Sequence, residues 1–501
     1  MTSSHSTPDS ASRQARLIII GAGFAGLGLG MRLRQRGDTD FLVLERAADV
    51  GGTWRDNDYP GCACDVPSHL YSFSFRPNPN WSRVFSPGPE IQQYLRECAR
   101  ESGLLPHIRF GTDMLAARWQ AECRRWVIET NHGDFEAEVL ITATGHLADE
   151  RLPEVPGLDS FTGEVFHSAR WNHQAELKGK RIGVVGSGAS AIQVVPQMAE
   201  VASELVVFQR SAAYVIPRAD RAYTAAEQRL FARDPERMHA LRSEFFWNGE
   251  YNFAQRRNVP RYLQEAKDLA LGHLARQVSD PVLRQKLTPD YEVGCKRLLI
   301  SNDYFPALSR PNVTLEASAL ARVEGSQGVA ANGASHTLDV LVLATGFEAT
   351  RPPFAKRVFG SAGHSLDAQW DQGMQAFDSI AVNGFPNLFI LNGPNTGLGH
   401  NSVVYIIEAQ VDYLLEALDH MRQQQIAVLE ADAQAEDAYM DALHQRSQGT
   451  VWLAGGCKSW YVDPRSGRLT LVWPDYAHAF RDANGHFHPE GYHPTPATPS
   501  T

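Results

Sequence analysis

Two segments of the chain share one pattern of hydrophobic and polar positions. In the first, the apolar run 16–20 predicts a buried strand, and the sequence GAGFAG follows it from Gly21 to Gly26. A helical pattern then continues to about Arg36, and a second apolar strand covers 41–45. The pattern predicts a strand–helix–strand unit of the kind that binds dinucleotides.

The same order of elements returns later in the chain. The strand pattern 181–185 runs into GSGASA between Gly186 and Ala191, and a helical stretch to about Val201 precedes the apolar strand 205–210. No short-period repeat is visible. The sequence therefore predicts two dinucleotide-binding units in one chain.

Two further apolar strands, 139–143 and 340–344, each run into Thr-Gly. Such strands mark the crossings between the domains of proteins with two dinucleotide-binding units, so we expect the second unit to be inserted in the first. The expected fold is α/β, with two Rossmann-like domains and a helical subdomain. The expected divisions are a flexible leader (1–15), a discontinuous first dinucleotide-binding domain (16–149 and 336–492), a second dinucleotide-binding domain (150–335) with a helical insert (about 218–290), and a flexible tail (493–501).

Composition narrows the class of protein. Hydrophobic residues make up 43% and charged residues 21% of 501 residues, which is typical of a globular protein. The net charge of −10 argues against a nucleic-acid partner. No apolar run is long enough to predict a membrane span, and Met1–Gln14 lacks the apolar core of a signal peptide. Six scattered cysteines favour a cytoplasmic protein without a disulfide framework, and no metal site is expected.

The first glycine-rich turn has the features of an FAD site. Gly21 allows a tight turn, Gly23 lets the backbone approach a pyrophosphate, and Gly26 allows close packing of the helix. The N-terminus of that helix offers free N–H groups to phosphates. Glu45 ends the next strand, where a carboxylate accepts hydrogen bonds from ribose hydroxyls. The expected contacts around this turn are Gly21, Gly23, Phe24, Ala25, Gly26, Glu45 and Arg46.

The second turn differs at the corresponding strand end, which carries Arg210 in place of an acid. A guanidinium can bind a 2′-phosphate, which a carboxylate would repel. We therefore expect NADPH here, although a solvated charge at the end of a strand is the alternative. The expected contacts are Gly186, Ser187, Gly188, Ala189, Ser190 and Arg210, with Lys296 as a plausible second cation.

A third motif lies just before the second turn. Phe161, Gly163, His167 and Trp171 have the identities and spacing of the Baeyer–Villiger monooxygenase fingerprint. Asn172 departs from that pattern, because Pro or Asp is usual there. Further matches extend over about 16–480 and include Gly51-Gly52-Thr53-Trp54, Cys64-Asp65-Val66-Pro67, Lys296-Arg297 and Ala344-Thr345-Gly346-Phe347. The chain thus resembles the Baeyer–Villiger monooxygenases.

That resemblance implies a role for several residues. Arg297 looks like the active-site arginine beside the flavin, and Asp65 looks like the carboxylate that orients it. Lys296 and Arg210 look like ligands of the 2′-phosphate, and His167 looks like a hinge rather than a base. Trp460 resembles an aromatic residue near the substrate pocket. Additional cofactor contacts are expected at Gly52, Thr53, Trp54, Asp65, Tyr71 and Asn395.

The resemblance also implies a reaction. NADPH reduces FAD, O2 adds at the flavin C4a, and the resulting peroxide attacks a ketone to give a tetrahedral (Criegee) adduct that rearranges to an ester or lactone. Two alternatives stay open: an N- or S-oxygenating flavin monooxygenase that accepts thioethers, and a non-catalytic redox sensor that binds NADPH and flavin. The sequence does not specify the substrate, and either a monomer or a homodimer is compatible with it.

Overall fold

The computed structural model describes residues 13–497. In chain order, its strands are β1 (Gln14–Ile20), β2 (Phe41–Leu44), β3 (Ile108–Arg109), β4 (Met114–Gln120), β5 (Arg125–Thr130), β6 (Phe135–Thr142), β7 (Glu164–His167), β8 (Arg181–Val185), β9 (Glu204–Phe208), β10 (Val215–Ile216), β11 (Leu299–Ile300), β12 (Val313–Glu316), β13 (Leu320–Glu324), β14 (Gln327–Ala330), β15 (Ser335–Thr337), β16 (Val340–Leu343), β17 (Val358–Phe359), β18 (Leu388–Ile390), β19 (Ile426–Ala431) and β20 (Tyr492–Pro496).

The α-helices are α1 (Phe24–Gln35), α2 (Thr53–Asp56), α3 (Gly88–Glu101), α4 (Ala191–Val201), α5 (Ala225–Arg233), α6 (Pro235–Tyr251), α7 (Phe253–Arg256), α8 (Pro260–Gln277), α9 (Pro281–Lys286), α10 (Tyr304–Leu308), α11 (Leu366–Gln369), α12 (Val403–Gln423), α13 (Ala433–Ser447), α14 (Val451–Ala454) and α15 (Ala477–Asn484). None of these helices is both long and apolar enough to cross a membrane.

The larger sheet carries the first glycine-rich turn. Its strands follow the order β17-β4-β5-β6-β1-β2-β3, and β18 also pairs with β6. Strand β1 runs parallel to both β2 and β6, with Ile18 opposite Leu42 on one side and Leu140 on the other. Leu17 and Ile19 pack in one buried cluster and Ile18 and Ile20 in another, so β1 is covered on both faces of the sheet and its continuous apolar sequence is buried.

The second sheet has five parallel strands in the order β12-β9-β8-β16-β7. Strand β16 lies between β8 and β7, with Val342 opposite both Val184 and Phe166. The return to the first domain expected at residue 336 is therefore wrong, since the second sheet extends to Leu343. Both sheets contain a group of parallel strands. A fully apolar strand fits equally well into either group, so the apolar pattern of β16 does not reveal which sheet it joins.

Helices α5 to α9 fill the segment between 225 and 286, within the range where a helical insert is expected. Phe231 of α5 and Met238 of α6 belong to the same buried cluster as Phe24 of α1. At the other end of the insert, α8 packs against β10. The insert thus contacts the first domain as well as the second.

The two chain ends differ from the expectation of flexible segments. Gln14 and Ala15 are part of β1, while residues 1–12 lie outside the described part of the chain. Strand β20 pairs antiparallel with β19, so the expectation of a flexible tail is wrong for 493–496. A proline is tolerated on an edge strand where its missing N–H is not needed, which is why a proline-rich sequence can still form this strand.

Candidate active site

Two glycines of the first turn leave no room for a side chain. Gly21 has φ +104°, and a Cβ on it would lie 2.8 Å from the carbonyl oxygen of Ala143. A Cβ on Gly26 would lie 1.9 Å from the carbonyl oxygen of Gly21. At Gly23, by contrast, the nearest atom to an added Cβ is 3.8 Å away. The turn therefore leaves open space at the position expected to face a pyrophosphate, which fits a bound dinucleotide.

Glu45 lies beneath this turn and is buried. One carboxylate oxygen accepts a hydrogen bond from the Ala22 N–H at 2.8 Å, and the other accepts one from Arg55 Nη1 at 2.9 Å. Each carboxylate oxygen can accept more than one hydrogen bond, so ribose hydroxyls remain compatible with this arrangement. Arg46, beside Glu45 in the chain, donates from Nη1 to Asp149 Oδ1 at 2.8 Å. The sequence reasoning missed Arg55.

A second group of expected contacts lies beside the start of α1. A Cβ on Gly52 would approach Gly23 Cα at 3.3 Å. Trp54 Nε1 donates to the Tyr71 hydroxyl at 3.2 Å, and the Tyr71 ring packs edge-on against Phe24 at 5.1 Å. The Thr53 hydroxyl reaches the Leu147 carbonyl oxygen at 3.4 Å. The structure therefore gathers these residues around the first turn, together with the buried Phe24 and Ala25.

The second turn repeats the first in its backbone. Gly186 has φ +133°, and a Cβ on it would lie 2.4 Å from the carbonyl oxygen of Ala344. Nothing lies within 4 Å of an added Cβ on Gly188, and Ala189 is exposed beside it. Ser187 Oγ donates to the Ser211 carbonyl oxygen at 2.8 Å, and Ser190 directly precedes α4. This turn is also open where a pyrophosphate would approach.

Two cations lie next to the second turn. Arg210 is exposed at the end of β9, and Lys296 Nζ donates to Ser211 Oγ at 2.7 Å. Lys296 therefore reaches the residue that directly follows Arg210. Burial lowers the pKa of Lys296, and the charge of Arg210 lowers it further, while Asp290 acts in the opposite direction. Within residues 13–497, neither cation has a carboxylate oxygen within 4.0 Å. Two cations that no carboxylate contacts fit a phosphate group.

Arg297 and Asp65 form an ion pair, although 232 positions separate them in the chain. Arg297 Nε donates to Asp65 Oδ2 at 2.8 Å, and Arg297 Nη2 lies 2.6 Å from the same oxygen. The charge of Asp65 raises the pKa of Arg297 above its ordinary value, so the guanidinium stays protonated. The residues on either side of Asp65, Cys64 and Val66, pack in the same apolar cluster as Tyr71, which places the pair beside the first site.

Arg218, which the sequence reasoning missed, links the chain segments that carry the two members of this ion pair. Its Nη2 donates to the carbonyl oxygen of Cys64, the residue before Asp65, at 3.0 Å. Its backbone exchanges two hydrogen bonds with the side chain of Asn302, at 3.0 Å and 2.9 Å. Asn302 follows β11, which begins two residues after Arg297. Arg218 therefore holds the Asp65 loop against the Arg297 segment.

The fingerprint residues lie in and next to β7, an edge strand of the second sheet. A Cβ on Gly163 would lie 2.2 Å from the Asp339 carbonyl oxygen, so only glycine fits there. His167 Nδ1 accepts a hydrogen bond from the Ala169 N–H at 3.1 Å, and burial lowers the pKa of His167. The buried Trp171 packs edge-on against Phe166 at 5.0 Å, and Phe161 packs against the core at Phe208.

Asn172, the departure from the fingerprint pattern, has a clear local task. Its Nδ2 donates to Glu164 Oε2 at 2.9 Å, and its Oδ1 accepts from the Gln174 N–H at 3.0 Å. Asparagine thus ties strand β7 to the turn that follows. At this position, the asparagine side chain thus holds the end of the fingerprint segment against β7.

Asn395 holds a neighbouring segment of the chain through one end of its side chain. It is buried with φ +54°, and its Nδ2 donates to the carbonyl oxygens of Leu469 at 2.7 Å and Val472 at 3.1 Å. Its Oδ1 has no hydrogen-bond partner in the described part of the chain. The expected cofactor contact of Asn395 therefore stays a prediction.

The expectation of scattered free thiols is wrong for one pair of cysteines. Cys295 and Cys457 form a disulfide with a Cα–Cα distance of 6.1 Å. Their large separation in sequence gave no indication of the pairing. The disulfide joins the segment of Lys296 and Arg297 to the loop of Trp460, whose ring is 42% exposed and stacks on Tyr461 at 4.4 Å. Cys62, Cys64, Cys98 and Cys123 are free.

Comparisons with known proteins agree with this geometry. The family model described as flavin-binding monooxygenase-like matches residues 14–262. A Baeyer–Villiger monooxygenase from Streptomyces coelicolor is 46% identical over 470 residues, covering 93% of this chain and 90% of the relative. A Baeyer–Villiger monooxygenase from Pseudomonas aeruginosa is 41% identical over 499 residues, covering 98% of this chain and 94% of the relative.

Solved structures show the same likeness in three dimensions. Cyclohexanone monooxygenase from Rhodococcus sp. Phi1, bound to NADP+, superposes with a TM-score of 0.86 at 25% identity and covers 97% of this chain and 99% of its own. Oxidised steroid monooxygenase bound to NADP gives a TM-score of 0.84 at 29% identity, with 97% and 100% covered. Together with its glycine-rich turns and its fingerprint, this likeness shows that the chain belongs to the Baeyer–Villiger monooxygenases, within the flavin-binding monooxygenase-like family.

Proposed function

We propose that this enzyme binds FAD at the first glycine-rich turn and NADPH at the second, and uses O2 to convert ketones into esters or lactones. The observation that carries this proposal is the Arg297–Asp65 ion pair. Arg297 directly follows Lys296 of the second site, and the segment around Asp65 packs in the same apolar cluster as Tyr71 of the first site. The pair thus provides a fixed cation where the two sites meet.

The two turns fit their cofactors through charge as well as shape. Glu45 at the first turn suits an adenosine with free ribose hydroxyls, whereas Arg210 and Lys296 at the second suit a 2′-phosphate. When bound, NADPH supplies a hydride to FAD, and the reduced flavin activates O2. The remaining task of the protein is to hold the substrate and to stabilise the charge that the reaction creates.

Arg297 is suited to that task. When an oxygen nucleophile bonds to a ketone carbon, the C=O π pair moves onto the carbonyl oxygen, which becomes negative. A positioned cation stabilises this charge without reorganising during the step. Because Asp65 raises the pKa of Arg297, the guanidinium keeps its protons and does not transfer one to the attacking oxygen. Asp65 and Arg218 hold it in position.

Product analysis tests this proposal directly. Purified enzyme is incubated with NADPH and O2 beside a cyclic ketone, a thioether and an amine, and mass spectrometry follows the gain of one oxygen atom. The expected product is the lactone. Oxygen gained only by the thioether or the amine would assign the enzyme to heteroatom oxidation. NADPH consumption with no oxygenated product across a broad panel would support a redox sensor.

A further inference from the structure

The buried hydroxyl of Tyr461 has no acceptor for its proton. The residue is only 2% exposed, and its O–H donates to no oxygen or nitrogen in the described part of the chain. A buried polar group without a partner costs free energy, so each such group in a native protein calls for an explanation. A ligand that is bound during catalysis would supply the missing partner.

The charged neighbours of this hydroxyl are arginines. The Tyr461 hydroxyl lies next to the guanidinium of Arg297. The Tyr461 ring packs against Trp452 with centroids 6.2 Å apart, and Trp452 lies with Arg256 next to Gly399. Arg256 is buried and donates to the Gly399 carbonyl oxygen at 2.8 Å. An arginine has N–H donors and no acceptor. Towards either arginine, the phenol oxygen can only accept, and its own O–H remains free for an acceptor oxygen.

Tyr461 lies just below the surface of the protein. Its neighbour Trp460 is exposed, and the two rings pack against each other with centroids 4.4 Å apart. The Cys295–Cys457 disulfide is two positions from Arg297 and four from Tyr461, and it ties the two segments together. The structure therefore holds one strong donor, Arg297, and one unused donor, the Tyr461 O–H, in the same place.

We propose that Tyr461 is a further catalytic residue, whose O–H donates a hydrogen bond to the carbonyl oxygen of the ketone alongside Arg297. The inference rests on the proposed function. As the C=O π pair moves onto that oxygen, the hydrogen bond strengthens. When the pair returns to re-form a C=O bond in the ester, the bond weakens again. Tyr461 keeps its proton throughout and acts as a hydrogen-bond donor only.

The test compares two Tyr→Phe variants, each of which removes a single oxygen atom. Tyr461→Phe removes the proposed donor. Tyr304→Phe is the matched control, because Tyr304 is equally buried and its hydroxyl also lacks a partner, yet burial alone shifts its pKa, with no charged neighbour involved. For each variant, NADPH-dependent reduction of the flavin, ketone oxidation, thioether oxidation and the melting temperature are measured.

We expect Tyr461→Phe to lower kcat for the ketone about 10- to 100-fold, the usual effect of losing one donor to a developing oxyanion. Flavin reduction and thioether oxidation should stay near wild type, because sulfur oxidation creates no negative carbonyl oxygen. Tyr304→Phe should leave all rates unchanged. Ketone oxidation by Tyr461→Phe within twofold of wild type, or an equal loss for the thioether, would overturn the inference. A wild-type enzyme that oxidises no ketone would instead overturn the proposed function, and this inference with it.

Discussion

The two glycine-rich turns share one backbone design and differ in their charges. In each, the first glycine lies against the carbonyl oxygen of the alanine that precedes a Thr-Gly crossing: Ala143 for Gly21 and Ala344 for Gly186. The first turn then has a buried acid, Glu45, with its own counterion Arg55. The second has Arg210 and Lys296, without a carboxylate partner between residues 13 and 497. The difference indicates that the backbone of the turn accommodates a dinucleotide, and that the charge at the end of the next strand determines which dinucleotide binds.

The turns also differ in how closely the following helix approaches. Gly26 of the first turn has no room for a Cβ, because that atom would lie 1.9 Å from the Gly21 carbonyl oxygen. The corresponding residue of the second turn is Ala191, which is fully buried and accommodates its methyl group. Helix α1 is therefore seated more tightly on its turn than α4 is on the second.

The largest expected effect comes from adding a methyl group at Gly26, where α1 lies closest to its turn. Gly26→Ala forces a methyl group into a backbone oxygen, so either α1 or the turn must move. We expect a loss of at least about 3 kcal/mol in the free energy of unfolding and of most bound flavin. Denaturant unfolding and the flavin absorbance per protein measure both. The control Ala191→Gly should cost only about 1 kcal/mol, and an equal loss in the two variants would contradict the difference between the helices.

The next effect concerns the charges of the second turn. Arg210→Ala removes a cation that we assign to the 2′-phosphate, so KM for NADPH should rise about 10- to 100-fold, as expected for a lost charged hydrogen bond. KM for NADH should hardly change, since NADH has no 2′-phosphate. Steady-state kinetics with both nucleotides measures the ratio. Arg310→Ala, which alters an exposed arginine of the same domain, is the control, and an unchanged preference in Arg210→Ala would refute the assignment.

A smaller effect is expected from pH. The pKa of Lys296 is lowered by burial and by Arg210, and the lysine is charged only below that pKa. As pH rises through it, the charge is lost and the affinity for NADPH should fall, beginning at a lower pH than an ordinary lysine would allow. Lys296→Arg keeps its charge and should flatten this alkaline decline. The measurement is the Kd for NADP+ from neutral to alkaline pH in the wild type and in Lys296→Arg. If the Kd rose with pH equally in both proteins, Lys296 would be excluded as a ligand.

The sequence predicted most of the fold and the principal charged residues, because glycine-rich turns and strand ends are local features. It did not place β16, since an apolar strand suits either sheet. It also missed Arg55, Arg218 and the Cys295–Cys457 disulfide. Each of these makes contacts between segments distant in sequence, or depends on a buried neighbour that no local pattern reveals. The sequence also gave no sign that Asn395 donates to the carbonyl oxygen of Leu469, 74 positions further along the chain.

The most direct test of the account is Arg297→Ala, compared with Arg221→Ala, an exposed arginine paired with Glu227. Flavin reduction by NADPH and ester formation from a ketone are measured separately in each variant. The account predicts that Arg297→Ala still accepts a hydride from NADPH but forms ester at least about 100-fold more slowly, while Arg221→Ala behaves as wild type. Ester formation near the wild-type rate in Arg297→Ala would contradict the assignment of Arg297 as the cation that stabilises the reacting carbonyl oxygen.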